Sequence, residues 1–378
     1  MNSFIKSKSS IKNCLFFCTI IGISLAFLSC TEESDNPQSN SNDLLIMDGP
    51  ELVRLSSGII VEKKGDSYLL CGDIVLSTEQ FHELNEKGSI TIEAFDDVIP
   101  LTNVCPITNL PLKGKRDTRG VGVYSATQLW AMMRFTYDSS LSDTQKQYIR
   151  EALLDIQSKT NVRFYNATGL PTHDYQYNID YPYVNFVNIG EVGNSNSQIG
   201  RVGGRQDLNL NFWDFFSRST IEHEICHALG MFHEQSRYDR DNYVTVNTSN
   251  LTTLGLQQFQ KITSNYYIKG SYDFYSIMGY NSYTSNTNMV YNTGVNMYLK
   301  NDGGSISQGY NLSTFDRQWL NDSYLPFIAR SDNYLELDSI VYKSDNTIMT
   351  EQERLQLQAQ LNNGNPNPPA NGHIPNNF

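Results

Sequence analysis

An α+β fold, with a sheet backed by helices, is predicted by three features of this 378-residue chain. The first is a helix that begins at a capping box over 142–145 and continues with apolar residues at i, i+3, i+4 and i+7 spacing. Its apolar stripe consists of Ile149, Ala152, Leu153 and Ile156. The second is a pair of β-branched and aromatic runs, 162–164 and 183–187, which are typical of strands. The third is a helical stretch that starts near Ser219 and ends at Gly230, because glycine can take the positive φ that terminates a helix.

The composition limits the classes of partner. The formal net charge of −12 argues against nucleic acid or an anionic membrane surface as the main partner. A hydrophobic content of 39% and an aromatic content of 12% are typical of a globular protein. We therefore expect a folded protein that does not bind nucleic acid.

The N-terminus is predicted to be a signal peptide spanning 1–30. Three lysines precede an apolar run over 14–28, which is too short for a good membrane span. The run ends in Phe-Leu-Ser-Cys30, which resembles a bacterial lipobox and predicts lipidation of Cys30. Secretion with loss of Cys30 is the alternative. Both predict an extracytoplasmic location, either secreted or as an outer-membrane surface lipoprotein of a bacterium, with membrane contact only through a lipid anchor.

Three of the chain's six histidines lie in one HExxHxxGxxH pattern. The pattern consists of His223, Glu224, His227, Gly230 and His233. Residues four apart share a helix face, so His223 and His227 can bind one Zn²⁺, and Glu224 can reach the water beside it. Gly230 ends the helix, so His233 can complete a three-histidine site whose open fourth position is typical of catalytic zinc. The alternative is that these are buried core histidines that bind no metal. Each of the five positions, however, has a structural or chemical role in a metal site.

The surrounding sequence resembles the astacin family of zinc metalloendopeptidases, within the metzincin clan. The stretch His223–Asp241 is similar to the family's extended zinc signature, and Tyr272–Tyr280 resembles its Met-turn. The segment 197–206 resembles the strand and loop beside the active cleft, and 312–321 resembles the last helix, so the resemblance spans 120–325. It implies one Zn²⁺ per chain and hydrolysis of peptide bonds in protein or peptide substrates. It also implies a metzincin fold, with a twisted mixed sheet, two long helices and an irregular C-terminal subdomain.

The resemblance implies roles for single residues. Glu224 would act as general base, and Tyr280 would either ligate the metal or swing away to hold the developing oxyanion. Met278 would form a hydrophobic floor under the site. Glu234 would meet the N-terminal ammonium of the mature enzyme through water. Peptide substrates would add as a strand at the sheet edge formed by Asn196, Ser197 and Gln198.

A basic stretch over 113–120 contains several trypsin-type cleavage points in a composition typical of exposed loops. It divides the chain into a linker and small inhibitory propeptide domain, 31–119, and a catalytic domain, 120–330. The predicted cut lies between Arg119 and Gly120, and a trypsin-like protease or the enzyme itself would make it.

The propeptide carries candidates for a latency switch. Asp73 stands in Gly-Asp-Ile, which resembles the aspartate switch of astacins, where a carboxylate occupies the fourth position of the zinc. A thiolate from Cys71 or Cys105 is an alternative, because thiolates are good zinc ligands. A disulfide between these two cysteines is a third interpretation. A capping box over 77–80 predicts a short helix in the same domain.

Two other functions remain open, a noncatalytic zinc-stabilised surface binding module and a zinc amidase that acts on cell-wall peptides.

Most astacins hold the catalytic domain with two disulfides, which this one cannot form because Cys226 is its only cysteine. Cys226 is predicted to be a buried apolar filler. Residues 331–378 are predicted to be a C-terminal extension with a short helix capped over 350–353, and they carry no recognisable chemistry.

Overall fold

The computed structural model describes residues 50–90, 120–123, 128–175, 178–263 and 266–376. All of these belong to one structural unit, Asp48–Phe378. The predicted signal peptide, Cys30, Cys105 and Arg119 lie outside the described residues. Among the described residues, no helix is both long and apolar enough to cross a bilayer.

The segment 50–90, which we call the N-terminal module, folds as a four-stranded sheet followed by a helix. Antiparallel pairing joins successive strands in the order β1-β2-β3-β4. The strands are β1 Glu51–Arg54, β2 Ile60–Lys64, β3 Ser67–Leu70 and β4 Ile74–Val75. Helix α1 spans Thr78–Lys87 and begins at the predicted capping box, in which the Ser77 side chain accepts from the Gln80 amide.

The next part of the chain builds a second sheet and its covering helix. Its elements are β5 Gly120–Val123, β6 Met133–Tyr137, α2 Asp143–Lys159, β7 Phe164–Asn166, β8 His173–Asp174, β9 Ile179–Asp180, β10 Tyr183–Asn188, β11 Ser197–Gln198 and β12 Arg205–Leu210. Four strands pair in parallel in the order β12-β10-β6-β7. An antiparallel bridge between Asn196 and Asn209 links the start of β11 to this sheet, which makes its edge mixed.

Most of the predicted elements are confirmed, with one shifted boundary. Helix α2 starts at its Ser142 capping box and buries the predicted stripe, and β10 covers the predicted run. The run 162–164 does not form a strand as a whole, because β7 begins only at Phe164. The Arg163 guanidinium donates to the carbonyls of Thr160 and Val162, so these residues close the end of α2 instead.

Residues after β12 contain the metal-site helix and then much irregular chain. The elements are α3 Arg218–Ala228, β13 Val244–Val246, α4 Thr253–Gln258, β14 Tyr266–Lys269, β15 Tyr298–Lys300, α5 Thr314–Ser323 and α6 Glu351–Leu361. Helix α3 packs against α2, and β14 pairs with β5. This arrangement is the α+β architecture with an irregular C-terminal subdomain that the sequence predicts.

One hydrophobic core runs through both the N-terminal module and the domain that follows it. Val61, Leu70 and Ile74 of the module share a buried cluster with Ile225 of α3 and Trp319 of α5. Apolar contact of this extent is the main stabilising term in such packing. The module is therefore joined to the domain through a common interior.

Candidate metal centre and cleft

The three histidines of the motif converge on one point. His223 and His227 lie on successive turns of α3, and both are buried. The chain then turns at Gly230, whose φ of 101° is the positive value that ends the helix. This turn brings His233 back, so that its Nε2 lies 3.2 Å from Nε2 of His223 and 3.3 Å from Nε2 of His227.

Backbone carbonyls fix the ring orientation of the two helical histidines. Nδ1 of His223 lies 2.8 Å from the Ile277 carbonyl oxygen, and Nδ1 of His227 lies 2.7 Å from that of Met231. A carbonyl oxygen only accepts, so each Nδ1 carries the proton and donates. Both Nε2 atoms are then unprotonated, which is the state in which imidazole binds a metal.

These nitrogens, together with one carboxylate, fit the donor set of tetrahedral zinc. Asp73 places its carboxylate oxygens 3.2 Å from Nε2 of His233 and 3.6 Å from Nε2 of both His223 and His227. All four ligand atoms lie within 4.8 Å of one another. Metal–ligand bonds of about 2.0–2.1 Å in a tetrahedron require ligand–ligand distances of about 3.3–3.4 Å. The distances to His233 and Asp73 therefore match a single zinc ion.

Backbone pairing holds Asp73 in this position. The Ser197 amide donates to the Asp73 carbonyl at 2.9 Å, and β4 then runs parallel to β11. Burial alone would raise the pKa of the Asp73 carboxyl, but the three histidines lower it well below its usual range. The N-terminal module thus covers Ser197 and Gln198 of the predicted substrate-binding edge, while Asn196 pairs with Asn209 of β12.

Cys71 lies two residues from Asp73 but is not part of the metal group. Its side chain is a free, fully buried thiol whose Sγ lies 3.6 Å from Ser236 Oγ. Burial raises the pKa of this thiol to about 12, which disfavours the thiolate. Of the predicted switch residues in the described part of the chain, the structure brings Asp73 to the histidines.

Glu224 lies beside the metal group with a free oxygen. Its side chain is buried, and Oε2 has no hydrogen-bond partner among the described residues. Burial raises the pKa of this carboxyl well above its usual value, and Asp73 and Asp214 raise it further. Glu224 also lines a cavity of about 520 Å³ that His223 and Asp73 share. The carboxylate therefore faces the space in which a substrate would react.

Tyr280 approaches the centre from the other side. Its ring centroid lies 4.9 Å from that of His233. Its hydroxyl donates to the Cys71 carbonyl at 3.2 Å and lies 2.9 Å from the side-chain amide of Gln258. The Tyr280 hydroxyl is therefore hydrogen-bonded to the backbone of the N-terminal module.

The Met-turn rests on a residue that the sequence analysis missed. Met278 is buried, and its role as a floor under the site stays a prediction. Asp316 accepts from Ser276 Oγ at 2.7 Å and from the Ile277 amide at 2.9 Å, so it fixes the turn whose carbonyl orients His223. The sequence signals for Asp316 are its N3 position in the α5 capping box and its place in the segment 312–321, which resembles the family's last helix.

Glu234 is buried and paired within the domain. Its Oε1 accepts from Arg237 at 3.0 Å and from the Asp273 amide at 2.7 Å. Burial raises the pKa of this carboxyl to about 8, although Arg237 and the Asp273 amide lower it. Gly120 lies in β5, paired with Lys269. In this uncut chain Glu234 therefore binds Arg237, and its contact with a new N-terminus stays a prediction.

Comparison with known families identifies the domain that carries this site. The family model for the astacin peptidases matches residues 122–325, more than half of the chain. The chain belongs to the astacin family. The matched range contains the three histidines, Glu224, Met278 and Tyr280, and it excludes the N-terminal module and the last 50 or so residues.

Several astacin relatives share part of their length with this chain. Zinc metalloproteinase nas-8 of Steinernema carpocapsae is 32% identical over 174 residues, 45% of this chain and 38% of that protein. Zinc metalloproteinase nas-14 of Caenorhabditis elegans is 28% identical over 268 residues, 70% of this chain and 48% of that protein. The chain thus spans less than half the length of these relatives. Among solved structures, high choriolytic enzyme 1, a hatching enzyme zinc-protease from Oryzias latipes, is 25% identical with a TM-score of 0.43, over 53% of this chain and 95% of that one.

Proposed function

We propose that this astacin-family protein is a zinc-dependent endopeptidase that is made as a latent precursor. The observation that carries the proposal is the convergence of three imidazole nitrogens beside a carboxylate with a free oxygen, Glu224 Oε2. A structural zinc site has no use for such a carboxylate, whereas hydrolysis requires a base next to the metal. One zinc ion per chain, held by His223, His227 and His233, would be the cofactor.

The side chains divide the chemistry of peptide hydrolysis between them. When bound, zinc supplies Lewis acidity toward a water molecule and the scissile carbonyl. Glu224 takes the proton of that water at Oε2 and passes it to the leaving amine. The Tyr280 hydroxyl, once released from the Cys71 carbonyl, donates a hydrogen bond to the oxyanion that develops on the carbonyl. Glu224 and Tyr280 are therefore the proposed catalytic residues.

Latency follows from the position of the N-terminal module. Asp73 occupies the space next to all three imidazoles, and β4 fills the edge of β11, where a peptide substrate would add as a strand. The module therefore blocks both the metal and the peptide-binding edge. We propose that the inhibitory propeptide spans 31–119, and that a trypsin-like protease or the enzyme itself cuts between Arg119 and Gly120.

The same proposal includes the location of the enzyme. The signal-like segment 1–30 and its lipobox-like Cys30 support export, followed by lipidation or free secretion, from a bacterial cell. Substrates would then be proteins or peptides outside the cytoplasm. Globomycin treatment and metabolic labelling with a lipid analogue would distinguish the two forms.

Substitution of the general base tests the central claim. After proteolytic activation, the Glu224→Gln variant should bind one zinc per chain and lose casein cleavage by about 10³-fold or more, because an amide cannot take the proton from the water. Glu222→Gln is the matched control, since Glu222 lies two residues away, pairs with Arg218 at 3.1 Å and stands outside the metal group. It should retain cleavage.

The possible outcomes separate the alternatives. Undiminished casein cleavage by Glu224→Gln would refute the proposed mechanism. Stoichiometric zinc without turnover of any protein substrate would instead indicate a zinc-stabilised binding module. Cleavage of muropeptides with no cleavage of casein would indicate a cell-wall amidase.

A further inference from the structure

The cavity beside the metal centre has walls that remain after the N-terminal module leaves. It encloses about 520 Å³ and runs from His223 and Glu224 along the first turns of α3. A short helical turn over 212–216 and the segment 286–289 complete its sides. A residue that flanks the scissile bond would place its side chain here, because the cavity opens directly on the metal ligand His223 and the base Glu224.

The charged groups of this cavity have one sign. Apart from the metal ligands, the catalytic domain contributes two charged side chains to the lining, Asp214 and Glu224. No lysine or arginine is among the described residues that line the cavity. Asp214 Oδ2 accepts from Ser195 Oγ at 2.6 Å. No arginine or lysine in the described part of the chain forms an ion pair with Asp214. The cavity thus presents a carboxylate without a cationic partner.

The metal would add its own positive charge, so the position of Asp214 matters. Asp214 does not belong to the group of side chains around the metal position, and it lies on the turn that precedes α3. Its carboxylate therefore adds negative charge to the cavity wall at a place separate from the four metal-ligand side chains. A cationic head group is favoured there and not beside the zinc.

The remaining wall suits a long amphipathic side chain. Leu254 and Met289 offer apolar surface, while Asn286 and Asn288 offer amide oxygens that accept hydrogen bonds. Lysine and arginine pack an aliphatic stem on apolar surface and place a charged head among acceptors. An aspartate or glutamate would meet the Asp214 carboxylate instead, which is unfavourable.

We propose that Asp214 is a specificity-determining residue and that the enzyme prefers peptides with lysine or arginine next to the scissile bond. This inference rests on the proposed endopeptidase function. It is carried by the Asp214 carboxylate, by the apolar surface of Leu254 and Met289, and by the absence of a cation from the described wall.

Peptide libraries with the full chain after proteolytic activation test the preference. Lysine and arginine should be enriched over aspartate and glutamate at one of the two positions that flank the cut. Asp214→Asn keeps an oxygen for Ser195 but removes the charge, so it should lower kcat/KM for a lysine peptide about five- to tenfold more than for a leucine peptide, which reports any effect that acts through Glu224. Glu191→Gln is the matched control, because Glu191 is exposed on the neighbouring loop and should change neither value.

A binding measurement gives a readout that does not need turnover. The Glu224→Gln protein, cut with trypsin and freed of the N-terminal module, should bind the lysine peptide more tightly than a glutamate peptide, and added salt should reduce this difference. Cleavage without any basic preference, or an equal effect of Asp214→Asn on both peptides, would overturn the role of Asp214 while leaving the endopeptidase intact. No cleavage of any peptide by the activated wild-type chain would refute the endopeptidase function itself.

Discussion

The N-terminal module (50–90) and the C-terminal extension (331–376) both pack on the catalytic domain, but they do so in different ways. Val61, Leu70 and Ile74 of the module enter the main core together with α3. The extension instead builds a separate small core, in which Leu337 and Val341 pack on Leu325 and Phe327. The boundary predicted at 330 therefore falls inside this small core.

Polar contacts separate the two regions further. The module places Asp73 on the histidines, and its Gln80 donates to the Ile199 carbonyl next to β11. The extension binds the end of α2 instead, through an ion pair of 3.0 Å between Asp338 and Arg163. In the described residues, none of its side chains joins the metal group. The comparison indicates that one region covers the site, while the other packs on the scaffold away from it.

Removal of the Asp73 carboxylate should have the largest effect, because it removes the contact between the module and the three histidines. Asp73→Ala opens the position beside the three imidazoles, which a tethered carboxylate occupies at an effective concentration of millimolar order. Casein cleavage by the uncut precursor should then rise by roughly 10- to 100-fold, although β4 still covers the edge of β11. Asp66→Ala, on the exposed β2–β3 turn, is the matched control and should stay latent.

Cys71→Ser distinguishes the two switch chemistries. Unchanged latency is expected, because the Cys71 thiol contacts Ser236 and not the histidines. Activity of the uncut Cys71→Ser precursor, together with continued latency of Asp73→Ala, would assign the switch to the thiol instead.

Cleavage at Arg119 should not by itself free the module. A segment that shares a hydrophobic core and a strand pairing with the domain stays bound after the chain is cut. Native mass spectrometry of the cut protein should therefore show a complex of two polypeptides, with activity below about a tenth of the final value until the module is degraded. Immediate separation of the two pieces, with full activity, would contradict the shared core.

A smaller effect is expected from the contact with the extension. Asn161→Ala removes three hydrogen bonds, two partly buried ones with the backbone of Tyr342 and a buried one with the Asn321 carbonyl, and should cost about 1–3 kcal/mol of stability. The Tm should fall by a few degrees, with kcat/KM of the activated protein unchanged. Asn371→Ala is the control, since Asn371 is exposed and its side chain has no hydrogen-bond partner among the described residues. Loss of catalytic efficiency in Asn161→Ala would show that the extension also shapes the cleft.

The sequence predicted the features that depend on short spacing. The capping boxes at Ser77, Ser142 and Thr350 each begin the helix they predict, because both partners lie within one turn. The three histidines were predictable for the same reason, since helix geometry and one glycine place them. Asp73 was identified by its motif, but its approach to the imidazoles depends on the pairing of β4 with a strand far along the chain, β11, which no local pattern encodes.

Residues that act through tertiary contacts were not predictable from spacing. Asp316 reads as an ordinary capping residue, yet it also holds the Met-turn. Gln258 meets Tyr280 only because α4 packs beside the module, and a Cβ on Gly72 would collide with its amide. Asp214 lies outside every motif, and a functional role for it is indicated only by the cavity that it lines.

Strand β5 anchors the N-terminus that a cut after Arg119 would produce. Val121 and Val123 are buried, the Phe232 amide donates to the Val121 carbonyl at 2.9 Å, and a Cβ on Gly122 would collide with the Trp319 ring. A cut after Arg119 therefore leaves almost no loose chain ahead of an anchored strand. Aminopeptidases need a free, extended end to bind. Preparations of the active enzyme should accordingly have one uniform first residue instead of a ladder of trimmed forms.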